Sequence, residues 1–330
     1  MLPIIRRLHD RICERVVREC ESQSTGRLSE VASDEEGDTI FAIDRVSEEE
    51  LVSFFENELT LQEPVVLIAE GLEGGRRTLP TGAREEDARW QVIVDPIDGT
   101  RCIMYQKRSA WILTGIAANR GPDTSLEDIE LAVQTEIPLV KQHLFDQLWA
   151  LRGQPPEAER INRLTGERKA LPLSPSRAKD IEQGYFVVTR FFPGARDVLA
   201  KIDEEVIRAV LGSPTEGKAQ AFEDQYTSTG GQLYGLIAGQ DRFIADLRPL
   251  LEGVLAERGE PLGLCCHPYD ICTKLIAEEA GVIVTDATGN SLDCPLDLET
   301  NVAWIGYANE DIRRQVELKL QAVLANHGLL

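Results

Sequence analysis

Ile4, Ile5, Leu8, Ile12, Val16 and Val17 recur at helical spacing, which predicts an amphipathic helix over residues 2–21 with its arginines and acids on the solvated face. The polar, acidic stretch 22–38 reads as a loop. DTIFAID (38–44) reads as a short strand ending at Asp44, and Ser47 with Glu50 forms a capping box for a helix that turns Val46, Leu51, Phe54, Phe55 and Leu59 inward. The apolar run 65–69 predicts a buried strand that hands the chain to Glu70 and Gly71, and 71–90 reads as a turn or hairpin region. Further strands over 111–120, 129–138 and 145–153, separated by short turns, predict a mainly antiparallel sheet. Residues 153–182, rich in Pro and charge, read as an exposed connection, with a lobe boundary near their end that divides the chain into 1–182 and 183–330. The second part alternates: strand 185–189, helix 195–211, a small-residue lead into a helix over 227–239, and strand 243–248. A helix over 267–281 stopping at Gly281, a strand and turn over 282–289, strand 303–309 and helix 311–328 follow. Alternation of this kind predicts an α/β lobe.

The chemistry gathers at VIVDPIDGT (92–100). An apolar strand-type run delivers Asp95 and Asp98 three residues apart. Pro96 fixes φ and is expected to stop the strand, while Gly99 permits a tight turn. Two acids on one rigid corner suit a hard cation such as Mg²⁺. Gly99 and Thr100 offer N–H groups and a hydroxyl to an anion at a helix start. Metal beside anion points to phosphate chemistry, although D-P-x-D-G alone is also an ordinary polar turn.

At 330 residues the chain has room for about two domains or one two-lobed fold. Its 35 basic and 56 acidic residues give a net charge of −21, which excludes a general nucleic-acid or anionic-membrane surface. An anionic substrate would then need a local positive centre, and bound divalent cations supply one. The seven cysteines include no C-x-x-C pair, so a zinc site of that pattern is not expected. Vicinal Cys265 and Cys266 read as buried thiols, and reduced cysteines fit a cytoplasmic protein. The charged N-terminal helix is no signal peptide, and no apolar run is long enough to span a membrane.

Four segments together, in this order, carry a family likeness: GDTIFAIDRVSEEEL (37–51), LIAEG (67–71), VDPIDGT (94–100) and PYDICTKLIAEEAGVIVTDATG (268–289). They resemble the lithium-sensitive, Mg²⁺-dependent phosphatases that include inositol monophosphatases, fructose-1,6-bisphosphatases and bisphosphate nucleotidases. The resemblance implies a layered α-β-α-β-α sandwich of the sugar phosphatase type, with an α+β N-terminal lobe and an α/β C-terminal lobe. It implies one Mg²⁺ held by Glu70, Asp95 and the Ile97 carbonyl, a second by Asp95, Asp98 and Asp270, and a weaker third sharing Glu70, with Mn²⁺ as a substitute. Phosphate would sit on the Gly99 and Thr100 amides. Asp44 would orient the Thr100 hydroxyl, which with Glu70 helps activate the attacking water. A homodimer is also common in the family.

The sequence departs from the family pattern at several points. Gly71 stands where a second Glu is frequent, which weakens the third metal position. Tyr269 replaces the usual Trp, Ile271 to Lys274 replace small residues, and Arg101 and Cys102 replace a frequent Thr-Asn. The family chooses substrates mainly with second-lobe loops, and TSTGGQ (227–232) falls at such a place. Ser228, Gly230 and Gly231 are therefore the implied substrate contacts. Arg190, Lys218, Arg242 and Arg248 are candidates to meet a second phosphate, but each reads more simply as a surface or structural cation. The reading reached is a phosphatase of a small phosphorylated metabolite, inositol or sugar monophosphate first, fructose 1,6-bisphosphate or a 3′(2′),5′-bisphosphate nucleotide second. A non-catalytic phosphate-ligand binder is the alternative of another class; retention of Asp44, Glu70, Asp95, Asp98, Thr100 and Asp270 speaks against it.

Overall fold

The computed structural model describes residues 1–23, 31–35, 38–41, 51–59, 63–70, 72 and 74–330, with the backbone alone at 31–35, 38–41 and 59. Asp44, Val46, the Ser47 and Glu50 box and Gly71 lie outside the described residues. Helix α1 (Leu2–Ser22) is followed by a hairpin of β1 (Val31–Glu35) and β2 (Asp38–Phe41). Eight strands then build one sheet: β3 (Val65–Ala69), β4 (Arg76–Leu79), β5 (Trp90–Asp98), β6 (Ala110–Ala118), β7 (Ile129–Ile137), β8 (Leu144–Leu151), β9 (Glu157–Asn162) and β10 (Arg168–Ala170). Their spatial order is β10-β9-β8-β7-β6-β5-β3-β4, antiparallel except for the parallel pair β3 and β5. The short helix α2 (Thr100–Met104) leaves the end of β5.

A four-stranded sheet follows in the order β11-β12-β14-β13, from β11 (Tyr185–Val188), β12 (Asp241–Asp246), β13 (Ile283–Thr285) and β14 (Trp304–Tyr307). Around it run α3 (Arg196–Leu211), α4 (Thr229–Ile237), α5 (Glu252–Glu257), α6 (Pro268–Ile271), α7 (Lys274–Glu279) and α8 (Glu310–Asn326). None of the described helices is long and apolar enough to cross a membrane.

The layers follow from which side chains share a core. Val65, Leu67, Val92 and Val94 face α1 and its Ile5, Leu8 and Ile12. On the other face Ile68, Ile93 and Leu113 meet Leu233 of α4 and Leu275 of α7, and these helices in turn meet Val187 and Ile244 of the second sheet. The far side of that sheet, with Phe186 and Phe243, packs on Leu199 of α3 and Val316 of α8. The result is an α-β-α-β-α sandwich. Strands covered on both faces need apolar residues at successive positions, which explains the unbroken run in β3.

Four local expectations are corrected. The acidic loop of 22–38 contains β1, whose polar residues gain their structure from pairing with β2 and not from any apolar pattern. The exposed connection 153–182 contains β9 and the edge strand β10, whose largely polar residues carry little hydrophobic signal. Pro96 does not end its strand: β5 continues to Asp98 through a bulge. The helix of 267–281 is broken into α6 and α7, and Cys272 at the break approaches β6, where a Cβ on Gly115 would lie 3.0 Å from the Cys272 carbonyl oxygen.

A polar plug fixes α1 to the large sheet. His9 is fully buried, with Nδ1 2.8 Å from Thr135 Oγ1 and Nε2 2.8 Å from Thr114 Oγ1. Burial pushes its pKa down to about 3 from 6.5. The native state therefore holds the neutral ring, while the unfolded chain takes up a proton below about pH 6.5. Stability from this site is complete above that pH and declines as pH falls towards 3. His9→Gln is expected to lower stability at pH 8 by about 1–3 kcal/mol, through the disturbed hydrogen bonds. It should also flatten the dependence between pH 6 and 4 by up to about 1.4 kcal/mol per pH unit. Urea midpoints across that range, wild type against variant, measure both effects.

Candidate metal centre

The site begins with a register defect. Asp95 pairs with Leu113 and Asp98 with Trp111, so three steps along β5 match two along β6. In a regular strand residues three apart point to opposite faces; the extra residue of the bulge cancels that alternation. Pro96 has no N–H to contribute to a ladder and sits where the ladder is interrupted. Both acids consequently face the middle helical layer, while Ile97 points into the opposite core. The Ile97 N–H donates to Asp95 Oδ1 at 3.0 Å, and Thr100 Oγ1 donates to the Ile97 carbonyl at 3.0 Å.

Asp270 arrives from the other side of the layer. It is the third residue of α6, and its Oδ2 accepts from the His267 N–H at 2.6 Å. Carboxylate oxygens of Asp95, Asp98 and Asp270 lie within 4.8 Å of one another. Glu70, in the turn after β3, lines the same cleft because Ala69 pairs in parallel with Val94. Asp95 is 2 % and Asp98 6 % exposed.

Such a group is electrostatically costly. Burial raises Asp95 well above the usual carboxylate range, and Asp98, Asp270 and Glu70 push it further in the same direction. Burial and then Asp98 raise Asp270, against the His267 N–H and the Arg248 charge. Asp98 is raised by burial to about 6 despite three hydrogen bonds that favour its anion. Arg248 is committed elsewhere: Nε donates to Asp246 Oδ1 at 2.8 Å, Nη2 to Asp246 Oδ2, and Nη1 to the Leu264 carbonyl at 2.8 Å. Buried, all-oxygen, mutually repelling donors are the set that a hard divalent cation satisfies.

The motif TSTGG has a structural task that its sequence did not disclose. Ser228 Oγ donates to Asp98 Oδ2 at 2.6 Å, the Gly230 N–H to the same oxygen at 2.6 Å, and the Thr229 N–H to Oδ1 at 3.2 Å. The N-terminus of α4 thus receives an acid from the other sheet, in the sense its dipole favours. Of the three expected substrate contacts, Ser228 lines the cleft. Gly230 is packed against β6, and Gly231 carries the Tyr226 ring. His267 Nδ1 lies 3.1 Å from the Thr300 carbonyl. All seven cysteines are free thiols, and Cys265 lines the cleft.

Gly99 starts α2 at φ 90°, and a Cβ there would lie 3.0 Å from Ser228 Cβ and 3.2 Å from the Thr227 carbonyl oxygen. Gly230 is tighter, since a Cβ would lie 2.6 Å from Leu113 Cδ2 and 3.0 Å from Asp98 Oδ2. Gly230→Ala is expected to cost about 1–3 kcal/mol of stability by overpacking. It should also weaken divalent-cation affinity, because an Asp98 oxygen is crowded together with Leu113. Urea titration and calorimetry with Mg²⁺ measure the two losses separately.

No family sequence model matches the chain, and no curated protein does. Solved structures do. Leishmania major fructose-1,6-bisphosphatase in holo form superposes with a TM-score of 0.70 at 14% identity, over 99% of this chain and 93% of that one. A Thermotoga maritima IMPase gives 0.62 at 17% identity, over 98% of each chain. The extragenic suppressor protein SuhB of Bartonella henselae gives 0.64 at 16% identity, over 97% and 98%. Sequence identity is low, yet these matches cover 94–99% of this chain: the chain has the fold of the fructose-1,6-bisphosphatase and inositol monophosphatase structures.

Proposed function

We propose that this protein is a Mg²⁺-dependent phosphatase that hydrolyses a small phosphate monoester, an inositol or sugar phosphate. The observation that carries the reading is the convergence of Asp95, Asp98 and Asp270 within 4.8 Å in a buried cleft. The fold agrees with it, since the solved structures of like architecture are phosphatases by name.

Glu70, Asp95 and the Ile97 carbonyl would hold one Mg²⁺, and Asp95, Asp98 and Asp270 the second. Gly71 argues against a strong third. Paired Mg²⁺ ions supply Lewis acidity at the attacking water and the leaving oxygen, so the reaction needs no protein nucleophile. The chain's own residues position the reactants. The Gly99 and Thr100 amides are assigned to phosphate, and the Thr100 hydroxyl, with Glu70, to the proton of the attacking water. That hydroxyl donates to the Ile97 carbonyl in the structure. Asp44 is assigned to orient Thr100, as the family pattern implies. Ser228, beside Asp98, is the substrate contact retained from the TSTGG motif. A two-lobed division near residue 182, a homodimer and a cytoplasmic location complete the reading.

The test is phosphate release from inositol 1-phosphate, fructose 1,6-bisphosphate, adenosine 3′,5′-bisphosphate and several sugar monophosphates, with Mg²⁺ and with chelator. Chelator should abolish turnover, and Asp95→Asn or Asp270→Asn should each lower kcat by about 10³-fold or more, as loss of a transition-state electrostatic partner does. Each Asn variant relieves repulsion among buried carboxylates, so without metal its Tm should match or exceed the wild type. Normal turnover in either variant would remove the metal assignment. Mg²⁺ binding without release from any ester would favour a phosphate-ligand binder.

A further inference from the structure

Gln134, in the middle of β7, has no solvent exposure, and its cross-strand neighbours Leu113 and Leu148 are buried as well. A polar side chain in such a layer costs free energy unless both ends of its amide are satisfied. Two segments that carry acids of the metal centre satisfy them. Nε2 donates to the Gly230 carbonyl at 2.8 Å, and Oε1 accepts from Thr273 Oγ1 at 3.0 Å. The Gly230 oxygen can only accept, which settles the direction of the amide.

Each contact is a short step from a carboxylate. Gly230 is held at its carbonyl by Gln134 and reaches Asp98 Oδ2 with its N–H. Thr273 lies three residues past Asp270, at the joint between α6 and α7. Helix α6 is only four residues long, so Asp270 follows whatever fixes that joint. Thr273 also stands at the N-cap of α7, where a threonine hydroxyl ordinarily accepts from the backbone of the helix it precedes. No such bond forms here; the hydroxyl is turned to Gln134 instead. One side chain of β7, a strand that contributes none of the three converging aspartates, thus spans the supports of two of them.

We propose that Gln134 is a positioning residue of the metal centre, a strut that fixes the separation of Asp98 and Asp270. The inference rests on the phosphatase reading and its second ion, assigned to these two carboxylates with Asp95. Asp98 and Asp270 repel one another. Their spacing is therefore set by the elements behind them, and groups that hold metal ligands from behind tune the affinity of the site. Gln134 joins those elements through a single planar amide, across 96 residues on one side and 139 on the other.

Mg²⁺ calorimetry isolates this role. The wild type should bind two ions. Gln134→Met nearly keeps the side-chain volume and loses both bonds, and it should weaken one of the two affinities about 10-fold. The ion assigned to Glu70, Asp95 and the Ile97 carbonyl should be unaffected, which a second background verifies. In Asp270→Asn the remaining affinity should be the same with and without Gln134→Met, whereas a general loosening of the fold would weaken it as well. Thr273→Val removes one of the two bonds and should cost about threefold, half the free energy of a tenfold change. It carries the same test should Gln134→Met fail to fold in a urea titration. Equal weakening of both ions, or two affinities unchanged in both variants, overturns the proposal. A wild type that binds fewer than two ions removes the two-ion reading and the proposal with it.

Discussion

Like charges crowded where water is scarce are the constraint around which this molecule is built. Asp95, Asp98 and Asp270 each resist ionisation through burial, and Asp95 and Asp270 are pushed further by neighbouring carboxylates. The surroundings are arranged to hold them nonetheless. A bulge turns two acids to one face, the first amides of α4 take one of them, and the opening of α6 presents the third. Each device belongs to a different segment, so the group exists only when both sheets and the helices between them are in place. Cations bound there would relieve that repulsion, and on the proposed reading their occupancy would be coupled to the integrity of the whole chain.

Much of this was legible beforehand. The unbroken apolar run of β3 and the β5 motif placed Glu70, Asp95 and Asp98 at strand ends, and Asp270 at a helix start, because burial on both faces and turn chemistry are written in local residue types. Long-range pairing is not so written. No local pattern marks β1, β9 or β10 as strands. The clasp between Ser228 and Asp98 joins residues 130 apart, and what the sequence offered was a small-residue motif open to several readings. His9 sat on the apolar face of its predicted helix without attracting notice, since the threonines that receive it lie on two distant strands. A signal for the bulge was present in Pro96, although the expectation drawn from it was that the strand would stop.

Glycine positions show the same division between local and distant causes. Gly99 was expected to give a tight turn, and its positive φ agrees. Gly115 and Gly230 are glycines for another reason: a neighbouring element comes too close for a side chain.

The parallel pairing of β3 with β5 has a consequence for how the chain tolerates change. Because Ala69 is hydrogen-bonded in register with Val94, the spacing of Glu70 from Asp95 is set by the ladder and not by the length of chain between them. Residues 80–89, which connect β4 to β5, can therefore lengthen or shorten without moving either acid. Doubling such a loop costs only about 0.6 kcal/mol in closure entropy. Variation in this part of the molecule is mechanically insulated from its chemistry.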